Sequence, residues 1–155
     1  MAVTMSGAFV LPADRQTVWE RLNDPATLQA AIPGCESLEK ISPTEFRAVT
    51  KVKVGPVSAR FKGKVRLSDI EAPNSYKISG EGEGGVAGFA KGGAAVTLAD
   101  ADGGGTRLSY QVEAQVGGKI AQLGARLIDS SAKKLAAEFF TNFAATLGGT
   151  AAAQG

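Results

Sequence analysis

Histidine is absent from this 155-residue chain, and cysteine occurs once, at Cys35. The first absence removes the commonest general base, the commonest neutral-pH proton shuttle and the commonest metal ligand together. The second excludes an internal disulfide, a cysteine-rich zinc site and an iron–sulfur cluster held by this chain alone. No metal site and no catalytic set is therefore expected. No apolar run approaches the roughly 18 residues that span a bilayer. Met1-Ala2-Val3-Thr4-Met5-Ser6 has no charged stretch leading into an apolar one, so no secretory signal and a cytoplasmic location are expected. Neither charge dominates: 17 Lys and Arg against 15 Asp and Glu leave +2, too little to point to nucleic acid.

What the chain does have is glycine, 20 residues of it, in a composition that is 44% hydrophobic and 21% charged. That is the make-up of one globular domain, taken as residues 1–148, followed by a short flexible tail at 149–155. Val3, Met5, Gly7 and Phe9 share a parity and predict a first strand, ended by Leu11-Pro12. A short helix is expected from Asp14 to Asn23 and a second from Ala26 to Ala31, stopped by Ile32-Pro33-Gly34. Thr44 to Ile70 reads as a long hairpin about Gly55-Pro56, in which facing positions sum to 111. Phe46 then meets Val65, Ala48 meets Gly63, Thr50 meets Phe61 and Val52 meets Ala59 on one face, and all the cations lie on the other. Ser75 to Glu83, Phe89 to Ala99 and Thr106 to Val116 supply further strands. From Lys119 to Leu147 polar residues recur every three or four positions, which predicts one helix of about 29 residues, about 44 Å long. Gly148-Gly149 ends it. The class is α+β, with an antiparallel sheet curled around the long helix. The inward parity is rich in small residues, Ala48, Ala59, Gly63, Gly80, Gly82 and Ala114, and Gly124 interrupts the helix. They imply either very close packing or an unfilled volume.

Several segments share a pattern: Val18-Trp19-Glu20 with Asn23-Asp24-Pro25, Ile32-Pro33-Gly34-Cys35, and Val54-Gly55-Pro56-Val57 leading to Ala59-Arg60-Phe61-Lys62-Gly63. They continue through Gly84 to Gly92, Gly104 to Tyr110, Gly117 to Gly124 and Glu138-Phe139-Phe140, covering Met5 to Leu147. In these the chain resembles the CoxG family, named for the G subunit of carbon monoxide dehydrogenase and part of the START-like, helix-grip SRPBCC superfamily. The resemblance implies a helix-grip fold with an apolar cavity, and no intrinsic cofactor. It also implies service to a molybdenum-containing hydroxylase such as carbon monoxide dehydrogenase, by binding quinone or lipid and recruiting the enzyme to the membrane. Many members carry a longer C-terminal extension suited to anchoring. This sequence ends on Gly148 to Gly155, so anchoring by its own tail is not expected.

Cavity-lining candidates are Phe46, Val52, Phe61, Val65, Leu67, Tyr76, Ile78, Phe89, Leu108, Tyr110 and Val112 from the sheet. The helix adds Ile120, Leu123, Leu127, Leu135 and Phe139. Plain core is the alternative for each. Tyr76 and Tyr110 stand out, because a buried phenol needs a hydrogen-bond partner that a quinone carbonyl could supply. Trp19, Ile32 and Pro33 are candidates for a cavity mouth. Arg47, Lys51, Lys53, Arg60, Lys62, Lys64 and Arg66 form a cationic face with no acid between them in sequence, a candidate patch for a membrane surface or an acidic partner. A hairpin summing to 145 would set Lys64 beside Glu81 and Lys62 beside Glu83, so ion pairing is the competing account.

Gly80-Glu81-Gly82-Glu83-Gly84-Gly85 fits the dinucleotide fingerprint in letters only, since no helix follows and two carboxylates would face a pyrophosphate. Phe139, Phe140 and Phe143 cover more than one helix face, which leaves Phe140 expected at the surface. Cys35 has no base to activate it and reads as inert. The expected function is a non-catalytic carrier of a hydrophobic molecule. A START-like enzyme such as a polyketide-type cyclase, or a ligand-free adaptor, stays open on these residues.

Overall fold

A computed structural model of the chain describes residues 1–154. Strand β1 (Ala2–Leu11) leads to helices α1 (Arg15–Leu22) and α2 (Pro25–Ala31). Asp14 and Asp24 cap these helices, their carboxylates accepting hydrogen bonds from the Thr17 and Thr27 amides at 3.0 and 3.2 Å. The Thr27 hydroxyl also donates to Asp24, at 2.6 Å. Both carboxyls are held below the usual carboxylate range by these hydrogen bonds.

Strands β2 (Cys35–Ser42), β3 (Glu45–Val54), β4 (Val57–Glu71), β5 (Ser75–Glu83), β6 (Phe89–Asp100) and β7 (Thr106–Gly117) follow as an antiparallel meander. β7 pairs with β1, and a final strand β8 (Ala152–Gln154) pairs with β1 at Ala8 to Val10. The sheet order is β2-β3-β4-β5-β6-β7-β1-β8. The long helix α3 (Ala125–Thr146) crosses its inner face, touching β1, β3 and α2. The arrangement is the α+β helix grip. None of the helices among the described residues is long and apolar enough to cross a membrane.

The β3–β4 register is the one summing to 111, and the β4–β5 register the one summing to 145. Three elements differ from expectation. The segment after Gly34 forms β2, an edge strand whose two register shifts break the parity that would have announced it. The tail does not fray between Ala152 and Gln154 but adds β8, whose alanines carry no strand signal; Gly155 lies outside the described residues. The long helix starts six residues late: Lys119–Leu123 is a 3₁₀ turn bounded by Gly118 (φ +81°) and Gly124 (φ +96°), both in the left-handed region. A 3₁₀ turn repeats every three residues, so the polar spacing runs through the break unchanged.

Candidate functional site: the hollow between helix and sheet

The inner face is built by the odd positions of β1 and β4 and the even positions of β3, β5, β6 and β7, as the pairings Gly7–Tyr110, Phe46–Val65, Leu67–Ile78 and Val96–Tyr110 require. Up to Leu67 of β4 and Leu98 of β6 no position of this set carries a carboxylate or a cation, its polar side chains being Thr50, Thr106, Tyr76 and Tyr110; the acids of the same parity, Asp69, Glu71 and Asp100, lie exposed at the strand ends. Thr106 is accounted for by donating to the Ala13 carbonyl at 2.6 Å.

Large side chains on this face gather at two ends. The first cluster joins Leu11, Val18, Leu22, Phe46, Leu67, Tyr76, Val96, Leu98, Leu108, Phe140 and Phe143. It fixes the C-terminal half of α3. The Phe140 ring lies 4.4 Å from Phe9 and 5.7 Å from Tyr110, Phe143 is completely buried, and Asn142 Nδ2 donates to the Ala31 carbonyl at 3.1 Å. The second cluster, smaller, is Ala87, Val116, Ile120 and Ile128, with Phe61 and Ala59 against it. Here Leu127 rests on the β3–β4 turn, so closely that a Cβ on Gly55 would lie 2.7 Å from its Cδ2.

Between the clusters the registers align a trough of small residues across the sheet. In one row Ala48 faces Gly63, Gly63 faces Gly82 and Gly82 faces Ala90; in the next Gly80 faces Gly92 and Gly92 faces Ala114. α3 does not fill it. A Cβ built on Gly63 would meet only the Glu81 and Ala48 carbonyl oxygens, at 3.5 and 4.0 Å, and one on Gly82 only the Lys62 oxygen, at 3.9 Å. Met5, Val65, Ile78 and Val112, inward-facing at the trough's edge, are only half-buried. Inward apolar side chains that keep accessible surface border a hollow rather than a packed core.

Tyr76 closes the first-cluster end of this space. Its ring meets Trp19 edge-on at 5.0 Å, and burial alone pushes its phenol well above the ordinary range. Among the described residues its hydroxyl has no hydrogen-bond partner. Among the described residues no side-chain nitrogen or oxygen is both sealed and unpartnered, so this hydroxyl still reaches accessible space. Tyr110 lies across Gly7, where a Cβ would come within 2.7 Å of its Oη, and burial raises its phenol too.

Of the sequence-derived lining, Phe46, Leu67, Tyr76 and Leu108 lie in the first cluster, with Val65, Ile78, Tyr110, Phe139 and Trp19 half-buried against it. Ile120 lies in the second cluster and Phe61 against it. Val52, Val112, Leu123, Leu127 and Leu135 are half-buried, as are Ile32 and Pro33 between α2 and β2. Two expectations are corrected. Phe89 stands on the outer parity opposite Gly117 and is 45% exposed, so it does not line the hollow. Phe140 is buried at the centre of the aromatic stack, not exposed. Phe9 and Ile128, which no candidate set included, help to close the two ends, and Gly92, Ala90 and Ala94 extend the trough beyond the small residues singled out in the sequence.

The opposite face of the sheet carries the cations. Lys51 faces Arg60 and Arg47 faces Lys64, while Lys62 and Lys64 stand beside Glu83 and Glu81. Adjacency does not become contact there. Among the described residues, the ion pair made by these β3–β4 cations is Arg60 Nε to Glu36 Oε1 of β2, at 2.7 Å, which draws the Glu36 carboxyl down, while Lys77 of β5 meets Asp69 Oδ2 at 3.3 Å. Two open concavities of about 970 and 620 Å³ also lie on this face, the larger lined by Lys64, Arg66, Lys77, Glu81, Lys91 and Glu113 together with Val65, Ile78, Gly80, Gly92, Ala94 and Ala114 of the trough and its border, the smaller by Ser6, Thr97, Arg107 and Ser109 with Gly7 and Tyr110. Their mixed charge distinguishes them from the apolar hollow, although the thin glycine and alanine floor is shared between the two sides. Cys35 Sγ donates to the Ser37 carbonyl at 3.3 Å, and burial pushes its thiol up, away from reactivity.

The family model for CoxG, described as the G subunit of carbon monoxide dehydrogenase, matches residues 7–148. No curated protein matches the chain. Among solved structures it is similar to a conserved protein from Geobacillus kaustophilus, 29% identical over 99% of this chain and 100% of that one, with a TM-score of 0.89. A START superfamily protein from Mycobacterium smegmatis matches at 12% identity, 94% and 97% coverage and a TM-score of 0.70. The Zhui aromatase/cyclase from Streptomyces sp. R1128 does so at 10% identity, 94% and 93% coverage and a TM-score of 0.68. These two likenesses are of fold. Together with the sheet, the gripped helix and the near-complete span of the family match, they establish that the chain belongs to the CoxG family, that of the carbon monoxide dehydrogenase G subunit.

Proposed function

We propose that the protein is a non-catalytic carrier that holds a hydrophobic, ring-bearing molecule of the quinone or lipid type in the hollow under α3. In this reading it serves a molybdenum-containing hydroxylase of the carbon monoxide dehydrogenase kind at the inner face of the cytoplasmic membrane. The partner follows from the family, and the ligand class from the site. The observation that carries the reading is the glycine and alanine trough with nothing from the helix above it. Its apolar borders suit an alkyl chain, its bare backbone floor suits a flat ring, and the unpartnered Tyr76 hydroxyl suits a carbonyl acceptor. An enzymatic role, such as that named for the Streptomyces aromatase/cyclase, finds less support. The stretch of the inner face that floors the trough offers no carboxylate or cation, and both phenols beside it are shifted away from acting as bases.

Gly82→Phe tests the site. Gly82 has an ordinary extended backbone and room above it, so the variant is expected to fold while losing at least tenfold in affinity for a short-chain alkyl benzoquinone, titrated by tryptophan fluorescence. Organic extraction and mass spectrometry of the purified wild-type protein is expected to release a lipophilic molecule that the variant lacks. Quinone binding unchanged by the filled trough would overturn the assignment.

A further inference from the structure

The first half of β1 is a sheet edge that the fold leaves open. The Met1 ammonium donates to the Val116 carbonyl at 2.9 Å and the Val116 amide donates back to the Met1 carbonyl at 2.8 Å, so these two residues form a hydrogen-bonded pair of the antiparallel ladder. Pairs of that kind alternate along the ladder, which turns the backbone groups of Val3, Met5 and Gly7 toward β7 and those of Ala2, Thr4 and Ser6 away from it. β8 lies beside β1 only from Ala8 to Val10. Among the described residues nothing pairs with the outward N–H and C=O groups of Ala2, Thr4 and Ser6, and all three residues are exposed.

The other edges of the sheet are defended and this one is not. β2 is broken by two register shifts and carries Glu36, Glu39 and Lys40, and β8 is three residues long. Bulges, charges and shortness are the devices that keep edges from pairing with other chains. Ala2 to Ala8 has no charge, no proline and, against β7, no bulge. The strand that fits beside it is β1 itself. Antiparallel pairing with facing positions summing to 8 sets Ala2 opposite the partner's Ser6, Thr4 opposite the partner's Thr4 and Ser6 opposite the partner's Ala2. Every outward group on both strands is then used, and the pairing stops short of Ala8, where β8 begins. The same register places Val3 beside the partner's Met5 on the inner face, and both are only half-buried in a single copy.

We propose that the edge from Ala2 to Ser6 is the contact surface for a second copy of this chain, joined about a two-fold axis at Thr4 into one continuous sheet. An identical strand meets three conditions at once: its open groups fall in register, its apolar positions fall on the inner face, and no charge is set against another. A contact of this isologous kind closes at two copies, and the edges left over are the bulged β2 and the short β8. Both inner faces then lie on the same side of the joined sheet. The partner's Val3 covers Met5 at the border of the trough, so each copy helps to close the β1 side of the other's hollow. The contact does not depend on what the hollow holds.

Sedimentation equilibrium of the full chain tests it. Strands this short bury less than a standard interface, so a reversible dimer with a Kd on the order of 100 µM is expected. Thr4 is exposed, so T4K and T4E should both fold. Each sets like charges opposite one another on the axis and should weaken the dimer at least tenfold, whereas an equimolar mixture of the two should restore it. Hydrogen exchange reads the register directly. The Thr4 and Ser6 amides should slow as concentration rises through the dimerisation range, and those of Val3 and Met5, already bonded to β7, should not. A chain that stays monomeric up to about 1 mM overturns the proposal, as does a dimer indifferent to T4K or one that the T4K and T4E mixture fails to restore. A dimer kept in T4K but lost in E39K overturns it too, because it would place the contact on β2.

Discussion

At Gly7 a built Cβ would lie 2.7 Å from Tyr110 Oη and 2.9 Å from its ring carbon, whereas at Gly63 the nearest atom is a carbonyl oxygen at 3.5 Å. Both glycines are on the inner face of the same sheet, and neither needs a left-handed backbone. Their substitutions should therefore differ in sign. Gly7→Ala must displace the Tyr110 ring, which stacks on Phe140 at 5.7 Å and on Phe9 at 6.4 Å, and overpacking of that kind costs about 1–3 kcal/mol. Gly63→Ala meets only ordinary contact and removes backbone freedom from the unfolded chain, so it should be neutral or stabilise by up to about 1 kcal/mol. Urea denaturation of the two variants checks the pair, and equal destabilisation would mean that the space above Gly63 is filled. Where single residues depart from expectation, the causes are equally local. Size alone argues for Phe89 inside, but Val96 and Leu98 fix the inward parity of β6 as even. A helical wheel begun at Lys119 turns Phe140 outward. A five-residue turn at about 120° per residue, rather than about 100°, rotates everything after it by roughly one quadrant.

Elements are legible where a periodic pattern meets a strong boundary. The β3–β4 register follows from alternation together with the turn at Gly55-Pro56, because a slip of one residue would send Phe46, Phe61 and Val65 to the charged face, and the β4–β5 register is the one that sets Lys62 and Lys64 beside Glu83 and Glu81. β2 is not legible, since Leu38 is its one inward anchor and its bulges shift the phase on either side. The same reasoning predicts what secures α2. Asp24 accepts from both the amide and the hydroxyl of Thr27, and Pro25 occupies the first helical position, so the carboxylate is the main determinant of that N-terminus. Asp24→Ala should cost about 1 kcal/mol at neutral pH. Because the folded carboxyl titrates below its unfolded value of about 3.9, its contribution is complete above that pH and is lost as the pH falls through the lowered folded value. The stability gap between variant and wild type should accordingly close as urea melts move from pH 7 to pH 3. A gap that persists in acid would assign the loss to packing.

At the scale of the molecule the two clusters differ in strength, and that difference bears on function. The first cluster binds the C-terminal half of α3 through Phe139, Phe140 and Phe143. The second holds its start with Ile128 and the contact of Leu127 on Gly55. A helix fixed firmly at one end and lightly at the other opens first at the lightly held end, without unpacking its aromatic anchor. The breaks at Gly118 and Gly124, which in sequence look like incidental glycines in a long helix, supply that lightly held end. Hydrogen exchange should reveal the asymmetry. In the ligand-free protein, amides from Ile128 to Ala132 should exchange at least tenfold faster than those from Phe140 to Ala144, because local opening follows the density of buried contacts. A saturating alkyl benzoquinone should protect the first group, together with Gly63 and Gly82 on the trough floor, and leave the second unchanged. Uniform protection along α3 would mean that the ligand tightens the whole domain instead of ordering the lightly held half of the helix over the trough.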